Sequence, residues 1–449
     1  MSQFGNSAER LDPLCSDIDM RSRSDPDKFR FGEEIMAINR RRFLSIASLA
    51  PAAVPLADFG APRPAKQRPD QPVLRVSSAP DVVVVGAGVF GAFTALRLRE
   101  RGLTVVLVDA YGPGNSRSSS GGETRGLRVG FDNREMYFHW ALRSADHWRS
   151  LEQEWKRQLI LPTGSLEISA RWTQGMDDIK RIYERLQVPF EVLKRDELRQ
   201  RWPQINADDI EVALYEPGTS IIKAREAVMA VAAVFQKKGG TLRIAQAQPG
   251  NTSGRRMENV VLSSGERLVA SQIVFACGPW LRKVFPELLG SRISTPRREV
   301  MFFGTPAGDD RFDSANLPVL LESRFFTFPS IEGRGLKIAI NGASHQIDPD
   351  TVERVVPADA VSKAQNLMSF RFPGMKGQPV VETRVCQYEN TADRHFLVDR
   401  HPEHDNVWIV GGGSAHGFKH GPMMGEYVAE RIMGRPTDAA LDQSFGLRG

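Results

Sequence analysis

Three glycines and one carboxylate in this sequence are spaced as a dinucleotide site requires. Residues 81–91, DVVVVGAGVFG, place Gly86, Gly88 and Gly91 in a G-x-G-x-x-G pattern directly after a run of valines. The first glycine permits a tight turn, the second lets the backbone approach a pyrophosphate, and the third allows close packing of the next helix. Asp109 follows about 20 residues later, where an acidic side chain can bind a ribose hydroxyl. The pattern predicts dinucleotide binding; a glycine turn in an unrelated α/β unit is the alternative.

The segments around these glycines have the pattern of a strand–helix–strand unit. Residues 81–85 are β-branched and apolar, which predicts a buried parallel strand. Residues 89–101 are rich in alanine and leucine and predict a helix that Gly102 ends. A second apolar strand is predicted at 104–108, directly before Asp109.

A glycine- and serine-rich segment, YGPGNSRSSSGGETRGLRVGF, follows at residues 111–131. Its composition predicts a loop without regular structure, whose small residues let backbone N–H groups approach a polar or anionic ligand. Thr124, Arg125 and Arg128 lie at its end. Because the loop follows the nucleotide unit directly, we expect these arginines to act at the ligand; solvated surface charge is the alternative.

Helical and extended patterns alternate from residue 133 to residue 276. The helix predicted at 133–158 places Trp140, Trp148 and Trp155 on one apolar face, which favours a role in the core over contact with a cofactor. Further helices are predicted at 174–186, 195–201 and 222–238, a strand and turn at 211–220, and strands at 164–170, 241–244, 257–262, 267–270 and 271–276.

The segment 296–345 has a different texture, with short extended patterns that predict an antiparallel sheet. Lys337 lies in one of them, G-L-K-I-A-I, where half of the side chains face inward. A buried lysine there is costly unless it meets water or a ligand, so a site is predicted; a solvent-facing lysine is the alternative. A last apolar strand at 406–410 precedes Gly411, Gly412 and Gly413, and a helix is predicted from Pro422.

Composition limits the function classes. The chain has 449 residues, enough for two domains, and its net charge of +5 without a basic aromatic tract does not indicate nucleic acid binding. Cys15, Cys277 and Cys386 form neither a disulfide framework nor a metal site. No apolar run reaches the roughly 18 residues of a membrane helix.

The first 79 residues have the composition of a tail that is not part of the folded domains. Residues 1–35 are polar without periodicity and are expected to be disordered. From Met36, the paired Arg40 and Arg41 followed by Phe43-Leu44 and a short apolar stretch resemble a twin-arginine export signal, with residues 58–79 as a linker. We expect a periplasmic or exported protein that starts at Met36; a chance basic tail on a cytoplasmic enzyme is the alternative.

Four blocks in order resemble the D-amino-acid-oxidase superfamily over about residues 80–449. Within it they resemble the branch of monomeric sarcosine oxidase, N-methyltryptophan oxidase and pipecolate oxidase. The blocks are GAGVFG with Asp109, GGETRGLR at 121–128, GRGLKIAI at 333–340 followed by HQIDPDT, and CQYENTADRHFLVD at 386–399 with GGGSAHGFKHGP at 411–422.

The resemblance implies an α/β fold: a Rossmann-like FAD-binding domain with an inserted α+β substrate domain built on an antiparallel sheet. We place the FAD-binding domain at 80–160, 221–290 and 378–449, and the substrate domain at 161–220 and 291–377. The expected protein is a monomer.

The resemblance also implies roles for individual residues. Cys386 matches the cysteine that forms a thioether to the flavin 8α-methyl, although an inert strand cysteine is the alternative. Lys337 matches the lysine near flavin N5 that activates dioxygen. Arg125 and Lys419 match the pair that binds the substrate carboxylate, and Tyr388 matches an active-site phenol.

The remaining expected cofactor contacts come from the glycines, from Asp109 and from two residues of the 121–128 block. Thr124 and Arg128 match residues beside the flavin and the active-site entrance. Gly412 and Gly413 belong to the second strand-to-glycine turn. Two positions depart from the family: Asn341 replaces a substrate-contacting histidine, and Gly121 replaces a histidine near the flavin.

The implied activity is that of an FAD-dependent oxidase acting on a secondary amine or N-methyl amino acid. Hydride passes to the flavin and electrons then pass to dioxygen, which gives an imine and hydrogen peroxide. One alternative is an exported dehydrogenase that uses a quinone or a protein acceptor. A more remote alternative is a flavin-bearing assembly protein without turnover.

Overall fold

A computed structural model describes residues 79–342 and 345–447, which belong to one compact unit, Arg75–Gly449. The predicted disordered tail and the twin-arginine-like signal at Arg40 and Arg41 lie outside the described residues. In the part of the chain that the structure describes, no helix combines the length and apolar character needed to cross a membrane.

Strand Val82–Val85 lies in the middle of a largely parallel sheet and is buried along its whole length. It pairs in parallel with Val105–Asp109 on one side and with Gln272–Phe275 on the other. The Rossmann-like unit predicted from the valine run and the glycines is therefore confirmed. Among the described residues the strand order is Leu397–His401, His404–Gly411, Gln272–Phe275, Val82–Val85, Val105–Asp109 and Thr241–Ile244, with Leu397–His401 antiparallel to its neighbour.

Helices cover this sheet. Helix Val89–Glu100 packs between Ala224–Lys237 and Gly421–Ile432, and Glu135–Trp155 packs against Gly421–Ile432. Trp140 and Trp148 are buried in this core, as predicted, and the ring of Trp148 meets that of Phe93 edge to face.

A second, mostly antiparallel sheet forms the other half of the described chain, which agrees with the predicted substrate domain. Helix Ala358–Arg371, which the sequence interpretation did not assign, packs against two of its central strands. Eight described strands follow in the order Val380–Gln387, Arg297–Phe303, Leu336–Ile340, Phe325–Phe328, Val319–Leu321, Ser165–Ser169, Val212–Glu216 and Glu191–Lys194.

A separate three-stranded sheet, formed by segments distant in sequence, changes two predictions. Thr124–Leu127, predicted to be loop, is a strand that pairs with Ser220–Lys223, which in turn pairs with Ile160–Pro162. The prediction was wrong because a partner distant in sequence satisfies the backbone of this segment. Since Ser220–Lys223 is a strand, the helix predicted from 222 begins at Ala224.

The predicted return to the first domain at residue 378 differs from the point where the chain changes sheets. Val380–Gln387 pairs with Arg297–Phe303 in the eight-stranded sheet. The chain rejoins the six-stranded sheet at Leu397. The domain boundaries themselves stay predictions.

The remaining described elements are short. The further helices are Gln174–Leu186, Arg195–Arg201, Leu281–Val284, Pro286–Leu289 and Ala439–Phe445, and the further strands are Ala247–Pro249, Thr252–Ser253, Arg256–Met257, Val260–Leu262, Arg267–Leu268, Ile293–Ser294 and Asn390–Thr391.

Candidate cofactor and substrate site

A cavity of about 110 Å³ opens at the carboxyl ends of the central parallel strands. Strand Val82–Val85 has its two neighbours on opposite sides here, which is where ligands bind in open α/β sheets. Gly88 and Gly413 line the cavity. A Cβ on Gly88 would meet only the Oγ of Ser120, at 3.5 Å, and a Cβ on Gly413 would meet nothing within 4 Å. A ligand can therefore approach the backbone closely at both glycines.

Gly86 and Gly91 are required by packing rather than by the cavity itself. Gly86 has φ of +105°, a conformation that side chains disfavour, and a Cβ there would overlap the carbonyl oxygen of Ala276. A Cβ on Gly91 would overlap the carbonyl oxygen of Gly86. The two glycines thus hold the strand, the turn and the helix together.

We expect Gly91→Ala to destabilise the protein by about 3 kcal/mol or more and to abolish flavin retention, because the methyl group meets backbone that cannot move aside. The melting temperature and the flavin-to-protein absorbance ratio measure both effects. Gly88→Ala is the matched control, since its methyl group has room in the protein and should reduce flavin content while keeping the fold. A folded, yellow Gly91→Ala protein would contradict the assignment.

Asp109 connects the glycine turn to the loop that follows the second strand. Its Oδ2 accepts the N–H of Ala87 at 2.8 Å, and its Oδ1 accepts the N–H groups of Tyr111 and Gly112 at 2.9 and 2.8 Å. Burial raises the pKa of Asp109, and these three bonds oppose the rise. A carboxylate offers about four acceptor positions, and the fourth is held only by a long contact of 3.5 Å from Nδ2 of Asn115, which a ribose hydroxyl can replace.

Glu389, which the sequence interpretation missed, lies at the second glycine turn. Its carboxylate accepts the N–H groups of Gly412 and Gly413, yet burial raises its pKa to about 7. Its Oε1 has no hydrogen-bond partner among the described residues. Glu389 could not be found by spacing, because only the tertiary structure brings it to the glycines.

The residues around this cavity fit part of a dinucleotide such as FAD, whereas a volume of about 110 Å³ is too small for the whole cofactor. Gly88 and Gly413 present open backbone, helix Val89–Glu100 directs its N-terminus there, and Glu389 offers an unpaired acceptor oxygen. A hydroxyl-bearing ribose or ribityl chain can donate to that oxygen, while N–H groups at the helix N-terminus can receive a pyrophosphate.

The raised pKa of Glu389 predicts a pH-dependent stability of the flavin-free protein. Its pKa in the fold, about 7, exceeds the ordinary 4.5. The protonated carboxyl is therefore favoured in the native state, and stability falls as pH rises from 4.5 to 7, by about 3 kcal/mol. Urea unfolding at pH 5 and pH 7 should show this fall.

Glu389→Gln is the matched variant, because its neutral amide can still accept from Gly412 and Gly413. We expect it to lack this fall in stability. Both proteins are compared in a Cys386→Ser background, in which the thioether implied by the family resemblance cannot form. An identical pH dependence in both proteins would show that Glu389 does not titrate in this range.

A larger cavity of about 1090 Å³ adjoins the first. Arg125, Tyr388, Ala415 and Phe418 line both cavities, so a ligand can extend from one into the other. Predicted site residues from four distant segments meet here: Thr124, Arg125, Arg128, Lys337, Cys386, Tyr388 and Lys419.

Lys337 faces inward, as the strand pattern predicted, with 5% of its surface exposed. Its Nζ donates to the Oγ1 of Thr124 at 2.7 Å and to the carbonyl of Thr124 at 3.1 Å, and it lies 4.1 Å from the ring centre of Phe328. Burial, then the nearby guanidinium of Arg125, lowers the pKa of Lys337 well below its usual value. A negative charge arriving beside it would favour the ammonium form.

Lys419 is buried and has Arg128 as its cationic neighbour. Its Nζ donates to the carbonyl of Arg128 at 2.7 Å. Burial, then the charge of Arg128, lowers the pKa of Lys419 to about 7. Both cations lie near the ring of Phe131, at 5.6 Å for Lys419 and 5.8 Å for Arg128.

The structure therefore brings Arg128, rather than the predicted Arg125, to the side of Lys419. Arg125 donates to the carbonyl of Thr124 at 2.6 Å and also to that of Ser119, and its charge acts on Lys337. The side chains of residues three apart along an extended backbone point to opposite faces. The side chains of Arg125 and Arg128 therefore point to opposite sides of the segment formed by strand Thr124–Leu127 and the residue that follows it.

Cys386 and Tyr388 alternate along one extended segment and line the larger cavity. Cys386 is a free, half-buried thiol placed opposite Arg298 in the sheet register. Burial raises the pKa of Tyr388, and the guanidinium of Arg298 lies 5.2 Å from its ring centre.

The two departures from the family pattern have local structural reasons. Asn341 donates from Nδ2 to the carbonyls of Glu322 and Ser323, at 3.0 and 3.3 Å, and so anchors a loop of the larger cavity. A Cβ on Gly121 would overlap the carbonyl oxygen of Asn115, so this loop conformation excludes a side chain there.

Comparison with known proteins agrees with this geometry. A family model described as DAO, FAD dependent oxidoreductase, matches residues 81–431. Monomeric sarcosine oxidase of Bacillus sp. strain B-0618 is 27% identical over 80% of this chain and 93% of its own. N-methyl-L-tryptophan oxidase of Salmonella dublin is 24% identical over 80% of this chain and 96% of its own.

Solved structures show the same fold. L-proline dehydrogenase from P. horikoshii superposes with a TM-score of 0.71 at 19% identity, covering 81% of this chain and 96% of its own. The residues matched by the family model include Gly86, Gly88 and Gly91 as well as Lys337, Cys386 and Lys419. The chain belongs to the DAO family of FAD-dependent oxidoreductases.

Proposed function

We propose that this enzyme oxidises a secondary amine that carries a carboxylate, of the N-methyl amino acid type, and returns the electrons to dioxygen. The observation that carries the proposal is the set of buried cations in one cavity: Lys419 beside Arg128, and Lys337 beside Thr124. Relatives named sarcosine oxidase and N-methyl-L-tryptophan oxidase, which align over most of the chain, support it.

Arg128 and Lys419 are suited to hold the substrate carboxylate. A guanidinium fork matches a carboxylate in shape, and the ammonium adds a point charge. An entering carboxylate raises the pKa of Lys419 again and keeps its proton in place. Bound FAD supplies the chemistry by accepting a hydride from the C–H next to nitrogen and passing electrons on.

No uncommitted carboxylate base lines the larger cavity among the described residues. Glu167 lies 3.8 Å from Arg128, while Asp209 and Glu322 are ion-paired with Arg371. We propose that the substrate amine arrives neutral, and that its orientation by Arg128 and Lys419, the carboxylate clamp, supplies much of the rate. Lys337 provides a fixed positive charge that stabilises superoxide when dioxygen accepts an electron.

We also propose that Cys386 forms a thioether with the 8α-methyl group of the flavin. The S–H bond and one methyl C–H bond would be broken, and the two electrons released would pass to the flavin ring and from there to dioxygen. Its free, half-buried thiol lines the same cavity as Lys337. After denaturation in acid, flavin colour should stay with the wild-type polypeptide and leave the Cys386→Ser protein. Colour released from both proteins would contradict covalent attachment.

Anaerobic flavin reduction tests the main proposal. Holoenzyme is mixed with N-methyl, cyclic and primary amino acids, and bleaching of the flavin is followed. Bleaching by a secondary amine is expected; no bleaching by any amine would favour a flavin-bearing protein without turnover. Oxygen consumption during turnover then separates an oxidase from a dehydrogenase that needs a quinone or protein acceptor.

Export and oligomeric state are further proposals that rest on the sequence. The Arg40–Arg41 signal fits the twin-arginine route, which carries proteins already folded around a cofactor. N-terminal sequencing of the exported protein tests the expected start at Met36, and a mature N-terminus upstream of Met36 would contradict it. Light scattering tests the expected monomer.

A further inference from the structure

The larger cavity has more positive charge than a substrate with one carboxylate requires. Its three acidic residues all have basic partners: Glu167 lies 3.8 Å from Arg128, and both Asp209 and Glu322 pair with Arg371. The cavity-lining cations without a carboxylate partner among the described residues are Arg125, Arg171, Arg298, Lys337, Arg394 and Lys419.

Five of these six cations already have an assigned role or are exposed to solvent. Lys419 belongs to the carboxylate clamp, Lys337 to the oxygen site, and Arg125 is bound to the carbonyls of Thr124 and Ser119. Arg171 and Arg394 line the cavity but are exposed to solvent. Arg298 remains as a half-buried cation inside the cavity without an assigned role.

Arg298 is held in place by the eight-stranded sheet. It lies on strand Arg297–Phe303, opposite Cys386 in register, and shares its cavity-facing side with Val300. Its Nη1 donates to the carbonyl of Gly342 at 2.8 Å, and its guanidinium lies over the ring of Tyr388. A guanidinium has five N–H donors, and the bond to Gly342 uses one.

Arg298 and the Arg128–Lys419 clamp come from different parts of the fold but line the same 1090 Å³ space. A flavin ring bordered by Lys337 and Cys386 would share this space with the substrate, and Arg298 keeps N–H donors free for a second anion within it. We propose that the physiological substrate carries a second carboxylate, which binds Arg298 while the first binds Arg128 and Lys419.

The substrate class is therefore an N-substituted dicarboxylic amino acid. This inference rests on the proposed amine oxidation for its catalytic part, but anion binding at Arg298 can be measured without turnover. A charge-assisted, bidentate contact is roughly twice as strong as a neutral one, so the second carboxylate should have a large effect on affinity.

The binding test uses two isosteric acids that the enzyme cannot oxidise, glutarate and glutaramate, which differ only by a carboxylate and an amide. Titration of the holoenzyme is followed through the flavin spectrum. Glutarate should bind about 10- to 100-fold more tightly, as expected for a hydrogen-bonded ion pair. Equal affinities would overturn the proposal.

Two arginine variants distinguish binding of glutarate at Arg298 from a general attraction of the anion to the positively charged cavity. Arg298→Gln should reduce the preference for glutarate to about twofold or less and leave glutaramate affinity nearly unchanged. Arg171→Gln removes an equal charge from an exposed position of the same lining and should keep the preference. Equal loss of the preference in both variants would overturn a specific role for Arg298.

The turnover test compares N-methyl-L-glutamate with N-methyl-L-glutamine in anaerobic flavin reduction. We expect the glutamate derivative to reduce the flavin at about 10-fold or lower concentration, a preference that Arg298→Gln removes. Equal reduction by both overturns the inference while amine oxidation stands. Reduction by neither contradicts amine oxidation, and the glutarate titration still decides whether Arg298 binds a carboxylate.

Discussion

Replacing Lys337 with methionine is expected to slow reoxidation of the reduced enzyme by dioxygen by about 100- to 1,000-fold, the usual effect of removing one pre-placed electrostatic contact. Flavin reduction by substrate should change by less than about tenfold. Stopped-flow absorbance measures the two half-reactions separately, first with anaerobic substrate and then with oxygenated buffer.

The variant is expected to affect reoxidation more than flavin reduction because the positive charge of Lys337 is needed where dioxygen becomes an anion. Lys337 is 5% exposed and donates to Thr124, so its ammonium cannot move into solvent when the flavin changes charge. One-electron transfer to dioxygen creates superoxide, and a fixed cation lowers the energy of that anion. Hydride transfer from a neutral amine would spread its negative charge over the flavin ring instead of placing it on a small oxygen anion, so it gains less from a cation fixed beside dioxygen.

Thr124→Val and Lys337→Arg are the controls for this experiment. Thr124→Val removes one acceptor but keeps the charge, so reoxidation should stay within about tenfold of the wild type. Lys337→Arg keeps a cation and should recover part of the rate. Equal slowing of both half-reactions in Lys337→Met would remove its assignment as the oxygen-activating residue.

Burial also predicts the direction of a pH effect on reoxidation. The pKa of Lys337 is lowered by burial and by the guanidinium of Arg125. The catalytically useful ammonium form is present at low pH and is lost as pH rises through the lowered pKa. Reoxidation should therefore become slower at high pH in the wild type and lose this dependence in Lys337→Met.

The features that sequence predicted well are those that local geometry dictates. Gly86 and Gly91 are needed because a Cβ at either position would overlap backbone that is close in the fold. Lys337 could be assigned to the inner face because side chains alternate along any strand. These signals depend on spacing and on residue type, which are both visible in one sequence.

Features that depend on distant partners could not be predicted in the same way. Thr124–Leu127 is a strand only because Ser220–Lys223 pairs with it. That pairing also decides which arginine reaches Lys419, so Arg128 took the place expected for Arg125. Glu389 acquires its role from Gly412 and Gly413, which directly follow strand His404–Gly411.

Helix Ala358–Arg371 was missed for a different reason. Its buried positions, Ala364, Met368 and Arg371, include a charged residue, so the apolar pattern along the helix is weak. Arg371 is fully buried because Asp209 and Glu322 pair with it. No rule based on hydrophobic periodicity assigns an arginine to a core.

The second large effect is expected at Lys419, where affinity for a simple monocarboxylate without an amine should fall as pH rises above 7. The pKa of Lys419 is lowered from 10.5 to about 7, mainly by burial and then by Arg128. Below pH 7 the ammonium is charged and binds the carboxylate, whereas above pH 7 each binding event must also take up a proton. The dissociation constant should then rise about tenfold per pH unit until the neutral form binds as well.

Acetate titrated into the holoenzyme between pH 6 and pH 9, followed by the flavin spectrum, measures this dependence without interference from substrate amine ionisation. Lys419→Met should bind acetate at least about 10-fold more weakly at pH 6 and show little further change with pH, because Arg128 keeps its charge throughout. Lys419→Arg should bind acetate at pH 6 and stay flat to pH 9, since a guanidinium does not deprotonate there. A wild-type affinity for acetate that is constant from pH 6 to pH 9 would contradict the lowered pKa of Lys419. The ammonium of Lys419 would then stay charged in spite of its burial, and an interaction other than those described here would have to stabilise it.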